Sequence, residues 1–223
     1  MKKVGWGIIG LGGIAHGFTH DLLHCENIRL AAVASRSFDK AKDFAKKYGY
    51  DKSYGSYEEL LEDENVDIVY VATPISFHKE QSIMCMNAGK SVLCEKAVAV
   101  NGKEIREMVE CAKKNNVFFT EGLWSRHFPV NRQVAELLQT GEMGRVNLIK
   151  ASFGFGKWIE GKLPEPYRSG RLFSKELAGG SLLDVGVYSL SFAMFMMNKG
   201  RPSEIRALSH NVDTGLTGCA HLL

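Results

Sequence analysis

The segment GWGIIGLGGIAHGF, residues 5–18, limits the possible folds more than any other. An apolar run stops at Gly10 and passes through Gly12 and Gly13 into a helix-compatible stretch. Residues 10–15, GLGGIA, have the spacing of a dinucleotide-binding turn, with Ala15 where the third glycine often stands. In such a turn the first glycine makes the tight bend and the second lets the backbone approach a pyrophosphate. The third small residue keeps the helix close to the strand. The helix start then presents unpaired N–H groups and a positive dipole end to phosphate. The same spacing also occurs in plain strand-to-helix turns, so its context decides.

The context is a β-α alternation. Buried-strand patterns occur at KVGWGIIG, IRLAAVAS, VDIVYVATP, SVLCEK and VFFTEG. Helical patterns lie near 13–24, at FDKAKDFAKKYG closed by Gly49, at YEELLEDENV, near 77–88 ending at Gly89, and at 102–116. Five short β-rich runs separated by helices predict a doubly wound parallel α/β sheet. After about residue 122 the rhythm changes. A helix near 129–139 is followed by GRVNLIKASFGFG (144–156), read as a long strand, and by a Gly-, Pro- and charge-rich loop over 156–171. An apolar helix opening at GGSLLDVG and a strand at SEIRALSHN complete the pattern. The expected fold is therefore a Rossmann domain over 1–122 and an α+β domain over 123–223.

Composition narrows the function classes. With 28 basic and 25 acidic residues the net charge is +3, and no basic block marks a nucleic-acid surface. The glycines argue against reading the N-terminus as a signal peptide, and no stretch is apolar for long enough to span a bilayer. Five cysteines without a tight spacing pattern suggest neither a disulfide framework nor a zinc site, so a reducing cytoplasm is the expected location. His16, His20 and His24 share a helical face, but no Cys or acid cluster completes a metal site, and none is expected. The Met-rich SFAMFMMN segment reads as gap-filling core, and Arg168 and Arg171 as members of a solvated loop.

The second strand ends in ASRS rather than in an acid. Ser35, Arg36 and Ser37 suit the 2′-phosphate of NADP(H), which a guanidinium can hold bidentately. Alternatively, Arg36 stacks on adenine or lies in solvent. Asp184 and Tyr188, four positions apart, would project from one helical face, with Ser181 as N-cap. Such a pair is either a satisfied structural contact or the working end of an active site.

Five motifs in order, GIIGLGGIA, VATPISFH, AGKSVLCEKAVAVN, EGLWSRHFP and GGSLLDVGVYSL, resemble the Gfo/Idh/MocA oxidoreductases, with EGLWSRHFP most like their dihydrodiol dehydrogenase branch. The resemblance implies a second domain built on an open, mostly antiparallel sheet and a tendency to pair as homo-oligomers. It implies a cofactor site of Gly10, Leu11, Gly12, Gly13, Ile14, Ser35, Arg36, Ser37, Thr73, Pro74, His78, Glu95, Lys96, Trp124 and Arg126. NADP(H) is the preferred cofactor and NAD(H) the second choice. Lys96, Tyr188 and Asp184 match the family's catalytic positions. A cationic lysine near a tyrosine favours the phenolate, so Tyr188 and Lys96 are expected to transfer the proton, with Asp184 orienting substrate or lysine.

Ala97 stands where many members have proline, which frees a backbone N–H and relaxes φ. Members also continue beyond the point where TGLTGCAHLL ends, so a truncated second sheet is expected. The implied activity is hydride transfer between NADP(H) and a hydroxyl or carbonyl carbon of a sugar, cyclitol or trans-dihydrodiol. The alternative is a non-catalytic NADP-binding relative.

Overall fold

The computed structural model describes residues 3–154, 165, 170–197 and 201–222. Two compact units divide at Gly122 and Leu123. In the first, β1 (Val4–Ile9), α1 (Gly13–Leu22), β2 (Ile28–Ala34), α2 (Phe38–Tyr48), β3 (Lys52–Tyr54) and α3 (Tyr57–Glu62) follow one another. They lead into β4 (Ile68–Val71), α4 (His78–Asn87), β5 (Ser91–Cys94), α5 (Gly102–Asn115) and β6 (Phe119–Glu121). All strand pairings are parallel, in the order β3-β2-β1-β4-β5-β6. That is the doubly wound order, in which the strand direction of growth reverses between β1 and β4.

Burial on both faces of the sheet explains the uniformly apolar strands. Ile8, Val33 and Tyr70 pack on one side with α1 and α2, and Ile9, Val69, Val71 and Val92 on the other with α4 and α5. Helix ends are marked in the sequence. Ser56 and Glu59 form a reciprocal capping box at α3, Asn101 caps α5, and Gly49 ends α2 at φ 82°.

The sequence pattern contains no counterpart of β3. It is three residues long and polar, and its edge position is secured by side chains rather than by an apolar run. The Tyr54 hydroxyl donates to Asp63 Oδ2 at 3.0 Å, and Lys52 Nζ approaches the same oxygen at 3.2 Å. The backbone N–H and side-chain amide of Asn65 both donate to Oδ1 at 3.0 Å. Burial alone would push the Asp63 carboxyl up, but the Asn65, Lys52 and Tyr54 bonds outweigh it and hold the group at about 2, below its usual 3.8.

A carboxyl lowered by folding adds stability above its unfolded value, and that stability is lost as the pH falls through the folded one. Asp63→Asn is therefore expected to cost about 2 kcal/mol at pH 7, or about 5 °C in Tm. Thermal melts from pH 7 down to pH 2 should show the gap between variant and wild type closing at the acid end. A pH-independent gap would refute the assignment.

The second unit holds α6 (Pro129–Thr140), α7 (Val187–Met197), β7 (Ala207–Asn211) and β8 (Thr217–Leu222). β7 and β8 form a two-stranded antiparallel sheet. The strand expected at 144–156 is not formed over its described part, 144–154, which pairs with no strand among the described residues. Alternating polarity alone does not make a strand where no neighbour supplies the ladder. Most of the 156–171 loop, including Arg168, lies outside the described residues. In α7 Met196 is buried but Met194 is exposed, so the Met-rich stripe is only partly core.

Candidate active site

In the first unit, the expected site residues cluster at the carboxyl ends of the parallel strands. Gly10 follows β1, Ser35 to Ser37 follow β2, Thr73 and Pro74 follow β4, and Glu95 and Lys96 follow β5. This edge, at the reversal between β1 and β4, is where open α/β sheets bind ligands.

The glycine turn is built for close approach on one side and open space on the other. Gly10 sits at φ 84°, and a Cβ there would lie 2.6 Å from the Ala72 carbonyl carbon and from the Thr73 nitrogen. Gly12 is the N-cap residue of α1, with no side-chain cap and no acid in the first helical turn. A Cβ on Gly12 or Gly13 would meet nothing within 4 Å. Leu11 and Ala15 are buried against the sheet, while Ile14 is exposed. The helix start is thus bare, open and electropositive, which fits a pyrophosphate.

Past β2, the Ser37 N–H donates to Ser35 Oγ at 3.2 Å, and Ser37 Oγ in turn accepts the Lys40 N–H to cap α2. Both hydroxyls therefore order the loop, and Arg36 is its exposed cation. Its charge reaches the phenol of Tyr57. Burial raises the Tyr57 hydroxyl, and Arg36 partly offsets this.

His78, expected among the cofactor contacts, is fully buried. Its Nδ1 lies 2.9 Å from the Ala97 carbonyl and its Nε2 2.8 Å from the Thr73 carbonyl. The ring thereby ties the β4 loop to the turn that carries Lys96, whose bond to Ala97 is cis. The Thr73 hydroxyl donates to Gln81 Oε1 at 2.6 Å. Glu95 also braces this turn, accepting the Tyr70 hydroxyl at 2.5 Å on Oε1 and the Lys96 N–H at 3.1 Å on Oε2. Burial raises the Glu95 carboxyl, with Tyr70 and Lys96 offsetting part of the effect. His78 and Glu95 thus fix the backbone on either side of Lys96. Sequence spacing cannot reveal this, because it does not show which backbone carbonyls the His78 ring meets or that the Tyr70 hydroxyl reaches Glu95.

In the second unit, a 3₁₀ turn at Trp124–His127 meets α7. Trp124 Nε1 donates to the Tyr188 oxygen at 2.9 Å, and Arg126 Nε donates to Ser191 Oγ at 2.7 Å. The Arg126 guanidinium also stacks over Phe195 at 5.6 Å. Asp184 is reached by Arg171 Nη2 at 3.7 Å, so Arg171 pairs with an acid and is not merely a solvated loop residue. Ser181 has helical dihedrals, caps nothing, and its hydroxyl is buried without a hydrogen-bond partner. Asp184 lies in a π-helical turn, Leu182–Gly186, that precedes α7. The four residues from Asp184 to Tyr188 therefore run partly through a π turn and partly through an α-helix rather than through one α-helical turn. π turns have no spacing signature in an apolar run, which is why the sequence reads as uninterrupted helix there.

On the first-unit helix α1, His16 Nδ1 pairs with the Tyr48 hydroxyl at 2.8 Å, and the His20 and His24 rings contact each other. Among the described residues no group of three or more His, Cys, Asp or Glu side chains is disposed to hold a metal ion.

A sequence model of the Gfo/Idh/MocA oxidoreductase family, with its NAD-binding Rossmann fold, matches residues 4–123. The family's C-terminal domain matches residues 131–221. A trans-1,2-dihydrobenzene-1,2-diol dehydrogenase from Danio rerio is 39% identical over 213 residues, which are 95% of this chain and 61% of that relative. The chain thus spans about three-fifths of the length of the curated relatives it matches.

Among solved structures, the aldose-aldose oxidoreductase of Caulobacter crescentus, complexed with glycerol, superposes with a TM-score of 0.85 at 30% identity. The match covers 96% of this chain and 64% of that one. A 3-ketoreductase from Actinomadura kijaniata, in complex with NADP and TDP-benzene, gives a TM-score of 0.85 at 27% identity, over 99% and 66% of the two chains. With both family domains matched in order, and the β3-β2-β1-β4-β5-β6 sheet beneath the first, the chain belongs to the Gfo/Idh/MocA oxidoreductase family.

Proposed function

We propose that the chain works as an NADP(H)-dependent oxidoreductase on the hydroxyl or carbonyl carbon of a sugar, a cyclitol or a trans-dihydrodiol. The observation that carries this reading is the bare, uncapped start of α1 at Gly12, set among strand-end residues at the sheet reversal. The names of the relatives, a dihydrodiol dehydrogenase and an aldose-aldose oxidoreductase, support the substrate class, and the NADP complex of the 3-ketoreductase supports the cofactor.

Residues 1–122 bind the dinucleotide, and 123–223 contribute the substrate side and self-pairing. When bound, the cofactor supplies or accepts hydride. Lys96 offers its ammonium to the substrate oxygen, Tyr188 exchanges the proton on that oxygen, and Asp184 orients the polar substrate. Arg36 holds the 2′-phosphate, and the Ser35 and Ser37 hydroxyls shape its loop. Thr73 and Pro74 border the nicotinamide ribose, and Trp124 and Arg126 are assigned to the cofactor from the second unit. No helix among the described residues is long and apolar enough to cross a membrane, and all five cysteines are free thiols. Both are in keeping with a cytoplasmic enzyme.

The test follows absorbance of the reduced cofactor while NADP or NAD is offered with aldoses, cyclitols and dihydrodiols. NADP reduction with at least one class is the expected result. Binding of NADP without turnover on any of them would favour a non-catalytic relative. Arg36→Ala should raise KM for NADP about 10- to 100-fold, the worth of a hydrogen-bonded charge pair, and leave KM for NAD nearly unchanged. Equal losses with both cofactors would reject the 2′-phosphate role.

A further inference from the structure

We propose that Trp124 is a positioning residue for Tyr188, setting the direction in which the phenol gives and takes its proton. This rests on the reading of Tyr188 as the proton-exchanging group.

Three observations carry it. The indole Nε1 is 2.9 Å from the Tyr188 oxygen, and an indole N–H can only donate. The tyrosine oxygen therefore accepts, and its own hydrogen must be directed to some other partner. Second, the turn carrying Trp124 is anchored. Asn131 Nδ2 donates to the Ser125 carbonyl at 2.7 Å, and Arg126 grips Ser191 and Phe195. Tyr188, Ser191 and Phe195 lie at i, i+3 and i+7 along α7, so Trp124 and Arg126 clasp one face of that helix across more than 60 residues of chain. Third, aromatic edges bound the phenol. Phe153 meets the Tyr188 ring at 5.4 Å and 73°, and Phe128 meets the indole at 5.0 Å and 87°. Ring rotation that would break the N–H···O bond is thereby opposed.

The chemical consequence is differential. When the phenol has given up its proton, the oxygen carries charge, and the same N–H makes a charge-assisted, stronger bond to it. An interaction that strengthens as the proton leaves lowers the barrier, whereas one of constant strength only aids binding.

Three variants and one spectrum test this. Trp124→Phe keeps an aromatic ring and removes the donor. It should lower kcat about 10- to 100-fold, a larger change than any in the Kd for NADP. In a Tyr188→Phe background the same change should have almost no further effect, because the acceptor is gone. Trp124→His, which retains a ring N–H, should recover part of the lost kcat. Independently, the indole N–H resonance of Trp124 should move in Tyr188→Phe, while that of Trp6, in the other unit, stays in place. The spectrum needs no turnover and no folding of a Trp124 variant.

An unmoved Trp124 resonance would overturn the proposal. So would a Trp124→Phe variant that changes only KM, or one whose kcat loss is equally large in the Tyr188→Phe background. Full activity of Tyr188→Phe itself would instead overturn the proton-exchange reading on which the proposal stands.

Discussion

Tyr188→Phe is expected to lower kcat by about 10²- to 10⁴-fold, the range that removal of a positioned general acid or base produces, with NADP still bound. The substitution leaves the ring that packs against Phe153 and takes away only the oxygen that accepts from Trp124. The loss is therefore expected in the chemical step and not in the fold. Lys96→Met is the companion test. It preserves the apolar stem of a half-buried side chain and deletes the ammonium. The backbone around Lys96 should survive, because Glu95 holds the Lys96 N–H and His78 holds the Ala97 carbonyl, and neither bond uses the lysine side chain. Turnover should again fall by orders of magnitude with cofactor affinity largely kept. Full turnover in either variant rejects the assignment of that residue.

Gly10→Ala is expected to cost the fold more than about 4 kcal/mol, while Gly12→Ala two positions away is expected to leave the fold intact. The contrast is geometric. At Gly10 an added Cβ would lie 2.6–2.7 Å from three backbone atoms of Ala72 and Thr73, and φ is 84°. Backbone cannot yield as a side-chain tip can, and φ in the left-handed region adds strain for any L side chain. At Gly12 φ is −91° and the Cβ direction is open. Thermal melts should show Gly10→Ala unfolded or far below wild type and Gly12→Ala within a few degrees of it. Calorimetric titration with NADP should find affinity at least about tenfold weaker in Gly12→Ala, because the methyl group occupies the approach to the uncapped N–H groups. Unchanged affinity in Gly12→Ala would remove the pyrophosphate from this turn.

These contrasts also mark how far the sequence could be read. The strands β1, β2 and β4, the capping residues and the glycine turn were legible because their causes are local: apolar runs, hydroxyl caps and a spacing that only one geometry satisfies. β3 was not legible. Its polar Lys52, Ser53 and Tyr54 pair because Asp63, later in the chain and across a helix, collects Lys52 and Tyr54. The strand expected over 144–156 failed for the converse reason: its local pattern is permissive, but a ladder needs a partner. His78 and Glu95 are candidate site residues whose hydrogen-bond partners are not legible in the sequence. The His78 ring meets two backbone carbonyls and the Glu95 carboxylate meets the Tyr70 hydroxyl and the Lys96 N–H, pairings that no residue spacing encodes.

Sequence alone determined the doubly wound first unit and its family, because glycine φ angles, caps and apolar periodicity act within a few residues of one another. It also offered Lys96, Asp184 and Tyr188 as candidate positions for the chemistry. Tertiary structure alone decided which atoms hold them: the π turn under Asp184, Arg171 beside it, and the indole N–H on the Tyr188 oxygen. Hydrogen bonds are short and directional, so their partners are chosen only once the chain has brought distant segments within about 3 Å.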